Sequence, residues 1–139
     1  MMKVLICGGR DFGHVPKDNK DPTCELQKAK QEFTFDTLDE IFKDYKYSQI
    51  LIISGGAKGA DASAATWAIR NLIDLKVLNA NWIKYGKAAG PIRNEKMIRL
   101  EPDFVIAFPG KNGTSDMIKR AKRNEVPVRE IYYGQSTLF

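Results

Sequence analysis

Three apolar runs, Lys3–Cys7, Gln49–Ser54 and Asp103–Phe108, each break off at a glycine-rich segment, and this recurrence limits the fold more than any other feature. The segments are Gly8-Gly9, Gly55-Gly56-Ala57-Lys58-Gly59 and Pro109-Gly110-Lys111-Asn112-Gly113. The runs are continuously apolar rather than alternating, as strands buried on both faces of a parallel sheet are. Helical spacing lies between them. Leu38, Ile41, Phe42 and Tyr45 recur at i, i+3, i+4, i+7, with Thr37 and Glu40 placed for a capping box. Ala60, Ala64, Trp67, Ala68 and Leu72 fall on one side of a second helix. Pro91 sits in the first turn of a third, where proline is favoured. A fourth helix runs from the Pro109–Thr114 loop through Lys122. Short strands are expected at Lys76–Leu78 and Trp82–Tyr85, and a last strand at Val126–Tyr132.

Strands that alternate with helices predict an α/β, Rossmann-like three-layer fold, with a mainly parallel sheet covered by helices on both faces. One domain is expected over residues 1–133. An elaborated loop at about 14–33 carries at most a short helix at Cys24–Phe33, and residues 134–139 form a tail. Right-handed crossovers bring all the strand-to-helix loops to one sheet edge, where such folds bind their ligands. The glycine segments therefore converge.

Composition narrows the function classes. No apolar run approaches the roughly 20 residues of a membrane span. The opening Met1–Ile6 stretch is too short for a signal peptide, so a cytoplasmic protein is expected. Cys7 and Cys24 read as two reduced cysteines rather than a disulfide framework or a metal site. His14 is the lone histidine and takes no catalytic role, and neither metal nor cofactor is expected. A net charge of +5 suits a phosphate-bearing small molecule and permits nucleic acid without demanding it. The basic cluster Lys119, Arg120, Lys122 and Arg123 reads as a solvated helix face over the stripe Met117, Ile118, Ala121.

The glycine loops suit a phosphate or sugar. Backbone N–H groups come close to a ligand where side chains are absent, and the following helix presents its positive end. A tight turn with no ligand is the alternative for each loop. The second loop lacks the Lys-[Ser/Thr] of a P-loop, and Gly8–Gly13 does not fit G-x-G-x-x-G, which disfavours NAD chemistry. Candidate ligand-binding residues are Gly8, Gly9, Arg10 and Asp11 in the first loop, and Ser54, Gly55, Gly56, Ala57, Gly59 and Asp61 in the second. Pro109, Gly110, Gly113 and Thr114 complete the set in the third loop, with Arg93 and Asn94 from a helix whose first turn holds Arg93. Thr114 is placed to cap its helix or to bond a ligand. The phosphate is expected between Gly55–Gly59 and Gly110–Thr114. A side chain at Gly56 or Gly113 should then block it, provided neither glycine has positive φ.

Five ordered motifs carry a resemblance. They are Gly8-Gly9-Arg10-Asp11-Phe12, Ser54 to Asp61, Trp67-Ala68, Ala89 to Asn94 with Met97, and Ala107 to Gly110 with Gly113-Thr114 and Met117. Together they resemble the SLOG superfamily, in its YspA/YpsA-related branch of bacterial and phage proteins, over nearly the whole chain. The resemblance implies a Rossmann-like fold and a site for ADP-ribose-like molecules or nucleoside phosphates. It also implies oligomers, and a symmetric dimer is expected. Related LOG phosphoribohydrolases read P-G-G-x-G-T-x-x-E, with an upstream arginine acting beside the glutamate. In this chain Arg93 matches the arginine, Lys111 replaces the second glycine, and Met117 replaces the glutamate, with Asp116 adjacent.

Three functions follow for test. The chain is expected to bind its ligand as a sensor or sequestering module. The second is a LOG-type nucleotide hydrolase or N-glycosidase, with Arg93 and Asp116 as catalytic candidates. The third, implied by the related fold of DprA, is an accessory role in DNA processing. The end of the chain adds one partner: Gln135, Leu138 and Phe139 have the Q-x-x-L-F form of a sliding-clamp-binding peptide.

Overall fold

The computed structural model describes residues 1–134. Five strands form one parallel sheet: β1 (Met2–Cys7), β2 (Ile50–Ser54), β3 (Asp74–Val77), β4 (Phe104–Ala107) and β5 (Val128–Glu130). Their order is β3-β2-β1-β4-β5, and every pairing is parallel. The order reverses at β1, whose Cys7 stands level with Ala107 and whose Ile6 stands level with Ser54. The chain is thus an α/β protein of Rossmann-like architecture. The gap outside the carboxyl ends of β1 and β4 is its topological switch point.

Side-chain alternation sends each strand to two cores. Val4, Ile6, Ile52 and Ile106 face one side, where they meet Leu38 and Phe42 of α1 (Cys24–Phe42) and Ala64 and Trp67 of α2 (Ala60–Arg70). Leu5, Ile53, Val105 and Ala107 face the other. There they meet Met97 and Ile98 of α4 (Ala89–Ile98), and Met117 and Ala121 of α5 (Asn112–Arg123). The small residues Ala60, Ala64 and Ala68 are fully buried, which lets α2 lie close on the sheet.

Several local expectations are corrected. The interval 14–33 is not mainly loop, because α1 begins at Cys24 and runs unbroken for 19 residues. No glycine or proline interrupts Cys24–Phe42, so nothing separates the two helical pieces expected from the sequence. Thr37 is therefore inside α1 and caps nothing. Cys24 is buried as the first residue of that helix. Trp82–Tyr85 is not a strand but a helical turn, α3. Asn81 accepts the N–H of Lys84 through Oδ1 at 3.0 Å and starts that turn. Leu72 does not join the buried face of α2. It follows the helix in a left-handed conformation (φ 56°) and is 91% exposed. No helix among the described residues is long and apolar enough to cross a membrane.

Candidate functional site

The first loop is held by its neighbours. Gly9 donates its N–H to Pro109 O at 2.9 Å, and its carbonyl accepts from Phe12 N at 3.2 Å and Ala60 N at 3.1 Å. Gly8 leaves no room for a side chain, since a Cβ there would lie 2.9 Å from that of Phe108 and also collide with that of Ala60. Gly59 has φ +74°, and a Cβ on it would run into the carbonyls of Gly9 and Arg10. Two requirements thus fix glycine at 59: a left-handed backbone and contact with another loop.

Between these loops lies a cleft of about 400 Å³, within the size range of small-ligand sites. Gly8, Gly9, Arg10 and Asp11 line it from the first loop, and Ala57 and Asp61 from the second. Arg93 and Asn94 line it from α4, and Pro109, Gly110, Gly113 and Thr114 from the start of α5. The remaining candidates stand behind this wall. Ser54 is fully buried, and its hydroxyl donates to Asp61 O at 3.3 Å and accepts from Gly56 N at 3.4 Å. Gly55 lies against the Arg93 guanidinium and Asp61 Oδ2. Gly56 has φ +71° and abuts Asn79 and Val77, so the condition attached to a side chain there is not met. Gly113 does meet it: a Cβ at this position would enter open space.

The cleft also draws in Cys7, Phe12, Lys30, Met97 and Lys111, which sequence reasoning missed. Met97 carried a usable signal, since it lies four residues after Arg93 and so on the same helical face. Lys30 carried none: it lies in the stretch read as an elaborated loop with at most a short helix at Cys24–Phe33. Its ammonium sits over the rings of Phe12 and Tyr133, at 5.6 and 5.8 Å from their centres. A second groove of about 490 Å³ adjoins the cleft and shares Phe12, Lys30, Pro109, Gly110 and Thr114 with it.

Charge is unevenly distributed around the cleft. The Arg93 guanidinium donates to Gly55 O at 2.7 Å through Nη1 and to Asn94 Oδ1 at 3.2 Å through Nε. Burial lowers its pKa, against the opposing pull of Asp61. Arg10 is more exposed and stacks on Trp82, with Cζ 4.7 Å from the ring centre. Asp61 is 5% exposed. Burial pushes its carboxyl up to about 6, although the Ala57 N–H, Arg93 and Arg10 pull the other way. Burial also pushes the Cys7 thiol far above its usual range.

Asp116 does not reach the cleft. Its Oδ2 accepts from Arg120 Nε at 2.8 Å and from Asn94 Nδ2 at 2.9 Å. Burial raises its pKa, but the hydrogen bonds from Arg120 and Asn94 outweigh this and hold it below the usual carboxylate range. Arg120 also pairs with Glu95 at 3.1 Å, so this member of the basic cluster is tied between α4 and α5. Met117 is fully buried against the sheet.

The two helix starts at the cleft differ. Thr114 is the third residue of α5, not its cap, and Lys111 at the cap position makes no side-chain capping bond. The N–H groups of Asn112, Gly113 and Thr114 have no backbone acceptor among the described residues. At α2 the Ala60 N–H is already bonded to Gly9 O, and Asp61 places a negative charge in the first turn. Arg93, expected in the first turn of its helix, is the fifth residue of α4 and so in the second turn. No group of three or more His, Cys, Asp or Glu among the described residues is arranged to hold a metal ion. Gln135, Leu138 and Phe139 of the expected clamp motif lie outside the described residues.

The chain is 35% identical over 135 residues to the Gene 61 protein of Mycobacterium phage D29, covering 92% of this chain and 94% of that protein. No solved structure matches it. Residues 2–85, which hold β1 to α3 and two of the three glycine loops, match the model of the YspA, cpYpsA-related SLOG family. The chain belongs to that SLOG family, YAcAr.

Proposed function

We propose that the chain binds a nucleotide or nucleotide-derived ligand in this cleft and serves as a sensor or sequestering module. One observation carries the reading: the uncapped start of α5 opens into a cleft that also holds Arg93 and Arg10. Free first-turn N–H groups and the helix dipole attract an anion, and arginine adds charge-assisted bonds. The phosphate is accordingly placed at Gly110–Thr114 rather than shared with the Gly55–Gly59 loop. Gly55, Gly56 and Gly59 do not line the cleft, and the start of α2 already carries the charge of Asp61. The adjoining groove, walled in part by Tyr132 and Tyr133, gives the rest of a molecule of ADP-ribose size somewhere to lie.

Binding is preferred to LOG-type hydrolysis because both residues at the glutamate position are otherwise engaged. Met117 packs in the core, and Asp116 is held by Arg120 and Asn94. The test is mass spectrometry of small molecules released from the purified protein, followed by calorimetry with AMP and ADP-ribose. Gly113→Val should abolish binding and keep the melting temperature, since its side chain projects into open space. Arg93→Ala should weaken binding by about 1.5–3 kcal/mol, as for one charged hydrogen bond. Unchanged affinity in Gly113→Val, with folding intact, would move the ligand elsewhere.

A further inference from the structure

Asp61 has a feature that its helix does not explain. One carboxylate oxygen, Oδ2, accepts from Ala57 N at a long 3.3 Å. The other, Oδ1, is buried without a hydrogen-bond partner, the only such side-chain atom among the described residues. A buried carboxylate oxygen left unpaired is costly. A structural role at the start of α2 needs only the bond to Ala57. No cation closes on Asp61: Arg93 and Arg10 lie near enough to pull on its charge, but no ion pair forms with either. Nor does a cluster of further metal-ligating side chains accompany it among the described residues.

The position of Asp61 is equally informative. It lines the cleft at the start of α2, which packs on one side of the sheet, whereas α5, with its uncapped start, packs on the other. A phosphate is repelled by a carboxylate and attracted by free N–H groups, so the two helix starts suit opposite ends of one ligand. The group that fits Asp61 is a hydrogen-bond donor without negative charge. The Cβ–Cγ torsion of aspartate is broad and roughly two-fold, so rotation about it can exchange the two oxygens.

Resting on the nucleotide reading above, we infer that Asp61 is the specificity residue for the sugar and accepts the vicinal hydroxyls of a ribose whose 5′-phosphate lies at the start of α5. The cleft then distinguishes ribonucleotides from molecules that lack those hydroxyls. Selection of this kind is strong, because an analogue that cannot donate leaves the buried carboxylate unpaired.

The test is a series of calorimetric titrations on the full chain with AMP, 2′-deoxy-AMP, 3′-deoxy-AMP and 2′,3′-dideoxy-AMP, each against the natural protein and Asp61→Asn. The natural protein should lose at least about tenfold in affinity between AMP and the dideoxy form, the scale of one charged hydrogen bond. In Asp61→Asn that difference should shrink to less than about twofold, because the charged acceptor is gone. Should the variant not fold, the loss across the series in the natural protein still decides. Equal affinity of the natural protein for AMP and its dideoxy form would overturn the role of Asp61 while leaving nucleotide binding intact. So would the same loss in both proteins. If AMP, ADP-ribose and ribose 5-phosphate all failed to bind, the nucleotide reading would fall and this proposal with it.

Discussion

Replacing Asp61 by Asn should change how stability depends on pH, and the size of the change can be worked out. Burial raises the folded-state pKa of Asp61 from 3.8 to about 6, so between those values the folded chain holds a proton that the unfolded chain releases. Stability therefore falls as pH rises through this window, and the full cost is present above pH 6. A shift of this size corresponds to about 3 kcal/mol, and about 2 kcal/mol of it develops above pH 4.5. Asparagine has nearly the same shape and does not ionise. Its own packing cost is the same at every pH, so the informative quantity is a difference of differences. Urea unfolding of both proteins at about pH 4.5 and about pH 7.5 measures it, and groups common to both cancel. Relative to the natural protein, Asp61→Asn should gain about 2 kcal/mol at the higher pH. Parallel pH profiles, within about 0.5 kcal/mol, would show that no buried charge is paid for here and would refute the reasoning.

Four further outcomes follow from the geometry. Gly59→Ala should destabilise by at least about 2 kcal/mol in urea unfolding, since φ strain adds to collision with two carbonyls. Met117→Ala should cost about 2–5 kcal/mol through a cavity in the second core. Met117→Glu should unfold the chain rather than create an enzyme, and circular dichroism separates those results. Burial raises the Cys7 thiol, so it should resist a disulfide reagent at about pH 8 until urea unfolds the chain; rapid labelling of the native protein would contradict this.

The sheet was readable because its strands are buried on both faces, which leaves a one-dimensional signature in β1, β2 and β4. The edge strand β3 is half-exposed and mixed in character, and its bounds were correspondingly shifted from Lys76–Leu78 to Asp74–Val77. Helix α1 was harder because its buried positions, such as Thr34 and Leu38, are sparse among charged residues. Thr34 even turns its hydroxyl back to Lys30 O at 2.9 Å, so a polar residue takes a core place. At the cleft, glycines announced the loops but not their roles. Gly55, Gly56 and Gly59 look like ligand contacts in sequence, yet they are demanded by packing against Arg93, Asn79 and the first loop. That distinction depends on which residues meet from distant parts of the chain, and no local pattern encodes it. The same holds for Asp116, whose partners Asn94 and Arg120 lie on two different helices.

The central place of β1 also sets an order of assembly. The first half of the chain, β1 through β3, pairs successive strands and can form a three-stranded layer as soon as it is made. The fourth strand must return to the first across a separation of 100 residues, where Asp103 accepts the Lys3 N–H at 2.8 Å. Doubling a loop adds only about 0.6 kcal/mol to its closure, so the return is delayed more by synthesis than by entropy. During translation, a nascent chain ending before β4 holds Arg10 and Asp61 but lacks the uncapped start of α5. Under the proposed function, competence to bind ligand is thus expected to appear late and all at once, when β4 docks beside β1, and binding would then report the completed molecule.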